Sequence, residues 1–149
     1  MRPPRIPNLL PLENETMYFI TMCVDGRRRV LDNASTWRSI CDTLHRLDRW
    51  RTLAAVAMPD HLHLITAPRQ DRDESVSDFS RWFKRWLREA LHHEWQWQEG
   101  CFDHLLRSGE SANGRWEYIR QNPVRAGLAK QPSDWPWQFG FEKPLHEGV

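Results

Sequence analysis

The sequence predicts an α+β domain: an antiparallel sheet in the split β-α-β layout, ferredoxin- and RRM-like, with helices on one face. Three observations point to it. Two apolar runs stand back to back, TLAAVAM at 52–58 and HLHLITA at 61–67, separated only by Pro59-Asp60. An amphipathic segment follows at 75–92, and a strand-like run at 17–24 precedes a helical one at 35–49. In order, the chain reads β-α-β-β-α-β-α, and the central hairpin is what splits the β-α-β unit. Such a sheet leaves its other face free for a ligand.

Each element has a local reason. MYFITMCV at 17–24 is rich in aromatic and β-branched residues and therefore reads as a strand, with Asp25-Gly26 as the turn after it. At 35–49, Trp37, Ile40, Cys41, Leu44 and Leu47 recur at helical spacing, and Asn33 or Ser35 can cap the start. Residues 52–58 read as a buried strand. HLHLITA alternates, as a strand paired back on the first does. Residues 75–92 are the clearest helix, with Val76, Phe79, Trp82, Phe83, Trp86, Leu87 and Ala90 forming one apolar stripe and Arg81, Lys84, Arg85 and Arg88 another face. A short strand is expected within 98–106. A last helix is expected over 111–122, ended by Pro123, because a residue before proline is pushed out of helical geometry.

The 149 residues suit one domain with one core. The expected organisation is an arm at 1–16, a single folded domain at 17–138 and a tail at 139–149. Hydrophobic residues at 40% and charged residues at 28% make an ordinary globular composition rather than a disordered one. No apolar run approaches the roughly 18–20 residues that span a bilayer, and MRPPRIPNLLPLENE carries Pro and charge where a signal peptide is apolar. No membrane association and a cytoplasmic location are expected. The three cysteines, Cys23, Cys41 and Cys101, are dispersed with no Cys-x-x-Cys pair, so they are expected as small buried hydrophobes. No phosphate-cradling GxxxxGK[ST] string is present.

Net charge is only +1, but positive charge is clustered at Arg27, Arg28 and Arg29, at Arg81, Lys84, Arg85 and Arg88, and at Arg115, Arg120, Arg125 and Lys130. Phosphate binding needs local charge, not a positive total, although such clusters also serve as plain solvated faces. Some of the nine tryptophans are available in principle to stack on unpaired bases.

Two constellations can carry chemistry. In His61-Leu62-His63 the imidazoles emerge on one face of a strand while Leu62 points to the other. Two neutral imidazoles side by side begin a divalent metal site, although a lone His-x-His pair is often incidental. Tyr118 and Asn122, four apart on a helix, share a face. A phenol and a carboxamide oxygen would project together, and Asn122 can add an oxygen ligand for Mg²⁺ or Mn²⁺. On spacing alone, Tyr118 reads first as a core tyrosine with a satisfied hydroxyl. The run Asn122-Pro123-Val124-Arg125-Ala126-Gly127-Leu128 reads as a turn back to the core, with Gly127 free to adopt an unusual backbone angle.

Taken together, MPDHLHLI at 58–65, FDHLLR at 102–107 and EYIRQNPVRAGL at 117–128, with YFITMCVDGRRRVL at 18–31, resemble the REP-associated tyrosine transposases, relatives of the HUH single-strand transposases. The likeness runs over about residues 17–138. It implies that His61 and His63 hold a divalent metal, Mg²⁺ or Mn²⁺, that polarises a scissile phosphate. It implies that Tyr118 attacks that phosphate to give a 5′-phosphotyrosyl link, and that Asn122 completes the metal site. The implied partner is single-stranded or hairpin DNA of palindromic repeats, with Arg27, Arg28, Arg81, Lys84, Arg85, Arg120 and Arg125 as candidate contacts. The short N-terminal Gly-and-Ser/Thr motif of many members is not identified; RPPRIPNLLPLENE stands in its place. The resemblance leaves monomer and homodimer both open.

A phenol is a weak nucleophile at neutral pH, so a nearby cation suits the chemistry. A covalent phosphotyrosine keeps the energy of the broken phosphodiester, so rejoining needs no ATP. The alternatives are a catalytically idle, domesticated binder of structured single strands, and a metal-dependent hydrolase of small molecules using the histidines with Asp60 or Asp103. His104 fits a ligand, a base or, preferably, a structural residue.

Overall fold

Residues Met17–Cys23 form the first strand, β1, whose alternate side chains fall on two different apolar layers. The computed structural model describes residues 16–69, 75–107 and 109–140, the side chains of Gly109 and Glu110 excepted. The expected arm lies outside the described residues apart from Thr16, as does the tail from 141 onward.

After β1 a tight turn over Asp25–Arg27 places Gly26 and Arg27 at φ of 69° and 53°. Helix α1 (Ala34–Arg46) begins where the Asn33 side chain accepts the Thr36 amide at 2.9 Å, so Asn33 is the cap. Strands β2 (Trp50–Met58) and β3 (His61–Pro68) form the expected hairpin, closing on the pair Met58 and His61 around Pro59-Asp60. Helix α2 (Val76–Leu91) starts at a capping box made by Ser75 and Asp78. Its buried stripe is narrower than the sequence suggests: Phe79, Phe83 and Leu87 are buried, but Trp82 is exposed and Trp86 only half-buried. Strand β4 (Phe102–Leu106) and helix α3 (Gly109–Arg120) complete the expected order.

Neighbouring strands pair antiparallel in the order β4-β1-β3-β2, with β5 (Gln138–Phe139) added outside β2. Strand β3 lies between β1 and β2, as the split β-α-β layout requires. Ile20, Met22, Leu62 and Leu64 face α1 and α2 and pack with Ile40, Leu44, Phe79 and Phe83. Fully burying one such side chain contributes roughly 1.5–3 kcal/mol.

The placement of α3 differs from the expectation. Its Ala112, Trp116 and Ile119 pack on the opposite face, against Met17, Val56, Ile65 and Ala67. The reason lies in β2, where every residue but Arg51 is buried. A strand apolar on both sides needs a cover on both.

Two further corrections concern the end of the chain. Pro123 does not stop the helix. Gln121 keeps helical angles (φ −82°, ψ −10°), and Pro123 sits in the first turn of a short helix, α4 (Asn122–Arg125), where a missing N–H costs nothing. Gly127, at φ +74°, ends it. The domain also runs past the expected boundary at 138: β5 pairs with Ala55 and Val56, and Phe139 packs against Trp37. Trp135 donates its indole N–H to the Ala57 carbonyl at 3.0 Å, pinning this return to β2.

All three cysteines are free; Cys23 is buried, and Cys41 and Cys101 are half-buried. Burial pushes the Cys41 thiol up to about 12. Among the described residues, no helix is long and apolar enough to cross a membrane.

Candidate active site

Strand β3 turns His61 and His63 onto the sheet face that α3 covers, opposite Leu62 and Leu64. The two imidazole centroids are 4.7 Å apart. Each ring is held through Nδ1. For His63 the partner is Thr21 Oγ1 at 2.8 Å, from the residue directly across on β1. For His61 it is Asp60 Oδ1 at 2.7 Å, and Arg27 in turn donates Nε to Asp60 Oδ2 at 2.9 Å. With Nδ1 engaged, Nε2 of each ring is the nitrogen left for a ligand, and such outer partners orient metal-binding histidines.

Burial pushes the His63 imidazole down to about 3, with the charges of His61, Arg115, Arg125 and Arg27 adding to the effect. It is neutral at physiological pH, the form that coordinates metal. Burial alone would raise the Asp60 carboxyl. Hydrogen bonds from Arg27 and His61, and their charge, outweigh that and hold it below its usual range.

Helix α3 meets this face through Phe19, which stacks on His63 with centroids 5.3 Å apart while the Arg115 guanidinium lies 4.8 Å from its ring. One turn further along, Tyr118 is 59% exposed, so the core-tyrosine alternative is excluded. It borders a cleft of about 540 Å³ between α3 and β4, lined also by His104, Arg107, Ser111 and Arg115. Arg125 covers the Tyr118 ring and donates to the Asn122 carboxamide oxygen, so Tyr118 and Asn122 converge on one guanidinium.

Two imidazoles held through Nδ1, one of them neutral, are donors that would suit a divalent ion, and Asn122 on α4 carries a carboxamide oxygen of the kind hard cations take. Among the described residues, no three His, Cys, Asp or Glu side chains group as a metal site. The Asn122 oxygen, a donor of another kind, is the candidate for a third position.

The basic candidates do not all gather here. Arg27 and Arg125 flank the histidine face, and Arg28 is exposed beside Arg27. Arg120 pairs with Glu117 at 3.2 Å. Arg81, Lys84 and Arg85 sit on α2, in the layer on the other side of the sheet, where Arg81 pairs with Asp78 and Arg85 with Glu89. Lys84 turns inward: its ammonium donates to the carbonyls of Gln98, at 2.9 Å, and Gly100, and burial pushes its pKa down. Thr21, Phe19 and Arg115 were not among the site residues read from sequence. Alternation along β1 puts Phe19 and Thr21 on one face, but the register that pairs Thr21 with His63 is not written in either strand alone.

No protein-family model matches the chain. The REP-associated tyrosine transposase of Escherichia coli (strain K12) is 37% identical over 99 residues, which are 64% of this chain and 57% of that protein. This chain thus spans little more than half the length of that relative. A Haemophilus influenzae protein provisionally given the same name is 24% identical over 136 residues, covering 81% of this chain and 77% of that one. A solved structure of a REP-associated tyrosine transposase bound to a REP hairpin superposes with a TM-score of 0.70 at 24% identity, over 93% of this chain and 80% of that one. The two share a fold, the five-stranded α+β sheet described above. Both of these curated relatives carry the name REP-associated tyrosine transposase.

Proposed function

We infer that the chain is a divalent-metal-dependent enzyme that nicks and rejoins single-stranded or hairpin DNA through a 5′-phosphotyrosine. One observation carries the reading: paired histidines, each held by Nδ1, lie on the sheet face that α3 covers, and α3 carries an exposed tyrosine. The homologues named as transposases support it, and the relative solved with a REP hairpin supports hairpin DNA as the ligand. A cytoplasmic location would suit such work on DNA.

His61 and His63, through Nε2, and Asn122, through its carboxamide oxygen, are the residues to hold the ion. Bound Mg²⁺ or Mn²⁺ would polarise the scissile phosphate. The Tyr118 oxygen forms a bond to phosphorus as the bond from phosphorus to the 3′-oxygen breaks. The phenolic proton leaves to solvent, and the departing 3′-oxygen takes one up. Rejoining is the reverse, with a 3′-hydroxyl attacking the phosphotyrosyl ester. Arg125 and Arg115 offset phosphate charge nearby.

The test is a labelled hairpin, taken from palindromes flanking the gene, incubated with the protein and Mn²⁺. A denaturation-resistant adduct is expected from wild type and not from Tyr118→Phe or in excess chelator. Equal adduct from both proteins would remove Tyr118 from its role. A second reading, an idle binder of structured single strands, is favoured by the Arg125 hydrogen bond to Asn122, which occupies the third ligand's oxygen. Tight hairpin binding indifferent to chelator, with no cleavage of any substrate, would support that reading instead.

A further inference from the structure

We propose that Phe102 is a stacking platform for an unpaired base beside the scissile phosphate. The proposal deepens the DNA reading above and depends on it. Phe102 is 69% exposed, the most exposed of the large apolar side chains among the described residues. Its position is not a random surface one. Across the sheet, Thr21 pairs with His63 on one side and with Phe102 on the other. Residues directly opposite on neighbouring strands point to the same face. Phe102 therefore stands on the histidine face, two strand spacings, about 10 Å, from His63.

The neighbouring aromatic on that face is already used. Phe19 is stacked on His63 and met by Arg115. Phe102 has no ring partner among the described residues, and it begins β4, the strand that walls the cleft beside Tyr118.

The occupant follows from the surroundings. His104, Arg107 and Arg115 line the cleft, and Arg27 and Arg125 flank the histidines, so the ligand should be polyanionic. A bare phenyl ring at the margin of such a surface is costly in water. It suits a flat aromatic group attached to the anion, which is an unpaired nucleobase. Stacking of this kind contributes to binding with little regard to which base is present.

The experiment uses a DNA hairpin with a single-stranded thymidine flank, one thymidine at a time replaced by photoreactive 5-iododeoxyuridine. Cross-linking of a flank position to Phe102 is expected. Affinity should fall by roughly 5- to 100-fold in Phe102→Ala and be kept in Phe102→Trp. If wild type binds the hairpin, Phe102→Ala binds equally and no cross-link reaches residue 102, the platform is overturned while the DNA reading stands. If wild type does not bind the probe at all, both are overturned. If Phe102→Ala changes only self-association, read by light scattering, the exposed ring serves a second copy of the chain and the proposal is overturned.

Discussion

The guanidinium of Arg125 lies over the ring of Tyr118, 4.2 Å from its centroid, and donates to the Tyr118 carbonyl at 2.7 Å. It also donates to the Asn122 carboxamide oxygen, so one cation spans the proposed nucleophile and the proposed third ligand. Stacking at an exposed ring contributes only about 0.5–1 kcal/mol, so the fold should survive its loss. Charge beside the phosphate matters more. Arg125→Ala should slow adduct formation by at least roughly tenfold with little change in melting temperature. Arg125→Lys should recover part of the rate, because it keeps the charge but not the planar contact. Unchanged rates in the alanine variant would deny Arg125 a part.

Thr21 acts one step further out. Its hydroxyl meets His63 Nδ1 at 2.8 Å, which leaves Nε2 as the nitrogen available to a ligand. Thr21→Val keeps the shape of the side chain and removes the hydrogen bond. Removing an orienting partner of this kind typically costs about 10- to 100-fold in metal affinity. Mn²⁺ titration followed by calorimetry should show such a loss, with the far-UV spectrum unchanged. Full affinity in the variant would mean that packing on Phe19 alone orients the ring.

Much of this was legible in the residues. Period-2 alternation in HLHLITA put both histidines on one face, and the β-α-β-β-α-β-α order was readable where elements carry a cap or turn, such as Asn33, Asp25-Gly26 and Pro59-Asp60. What failed depends on contacts between distant segments. The side on which α3 packs is decided by β2 being apolar on both faces, and β5 is too short for any pattern. Pro123 misled because its effect depends on position: it breaks a helix interior but suits a first turn. The hydrogen bonds of Lys84 were not legible, because a basic stripe on a helix says nothing about carbonyls brought in by the loop at 98–100.

Lys84 yields the next prediction. Its ammonium satisfies two loop carbonyls, so Lys84→Met should lower stability by roughly 1–3 kcal/mol. It should leave hairpin affinity where it was, because the ammonium is committed to the two loop carbonyls. Urea unfolding and a binding isotherm on the same preparation separate the two effects. A drop in affinity at unchanged stability would return Lys84 to the DNA contacts.

Gly140 shows why the chain past 138 belongs to the domain. A Cβ built there would come within 2.2 Å of Trp116 Cζ2 in the helix covering the histidine face. The indole is buried and cannot simply swing away. Gly140→Ala should therefore destabilise by roughly 1–3 kcal/mol, the usual range for overpacking. A neutral result in urea unfolding would mean that residues 138–140 lift off the sheet at little cost.

The last prediction concerns whose tyrosine serves whose histidines. In this chain α3 reaches its own histidine face: Arg115 contacts Phe19, Phe19 stacks on His63, and Tyr118 follows one turn later. The charges of Arg115 and Arg125 are felt at His63 of the same chain. A partner's helix would have to displace this one, with the buried Trp116 and Ile119 that anchor it. Tyr118 should therefore act in cis. Mixing Tyr118→Phe with a His61→Ala, His63→Ala double variant should give no adduct above that of either protein alone. Recovery of adduct in the mixture would show exchange of helices between two copies, and light scattering would then find a dimer.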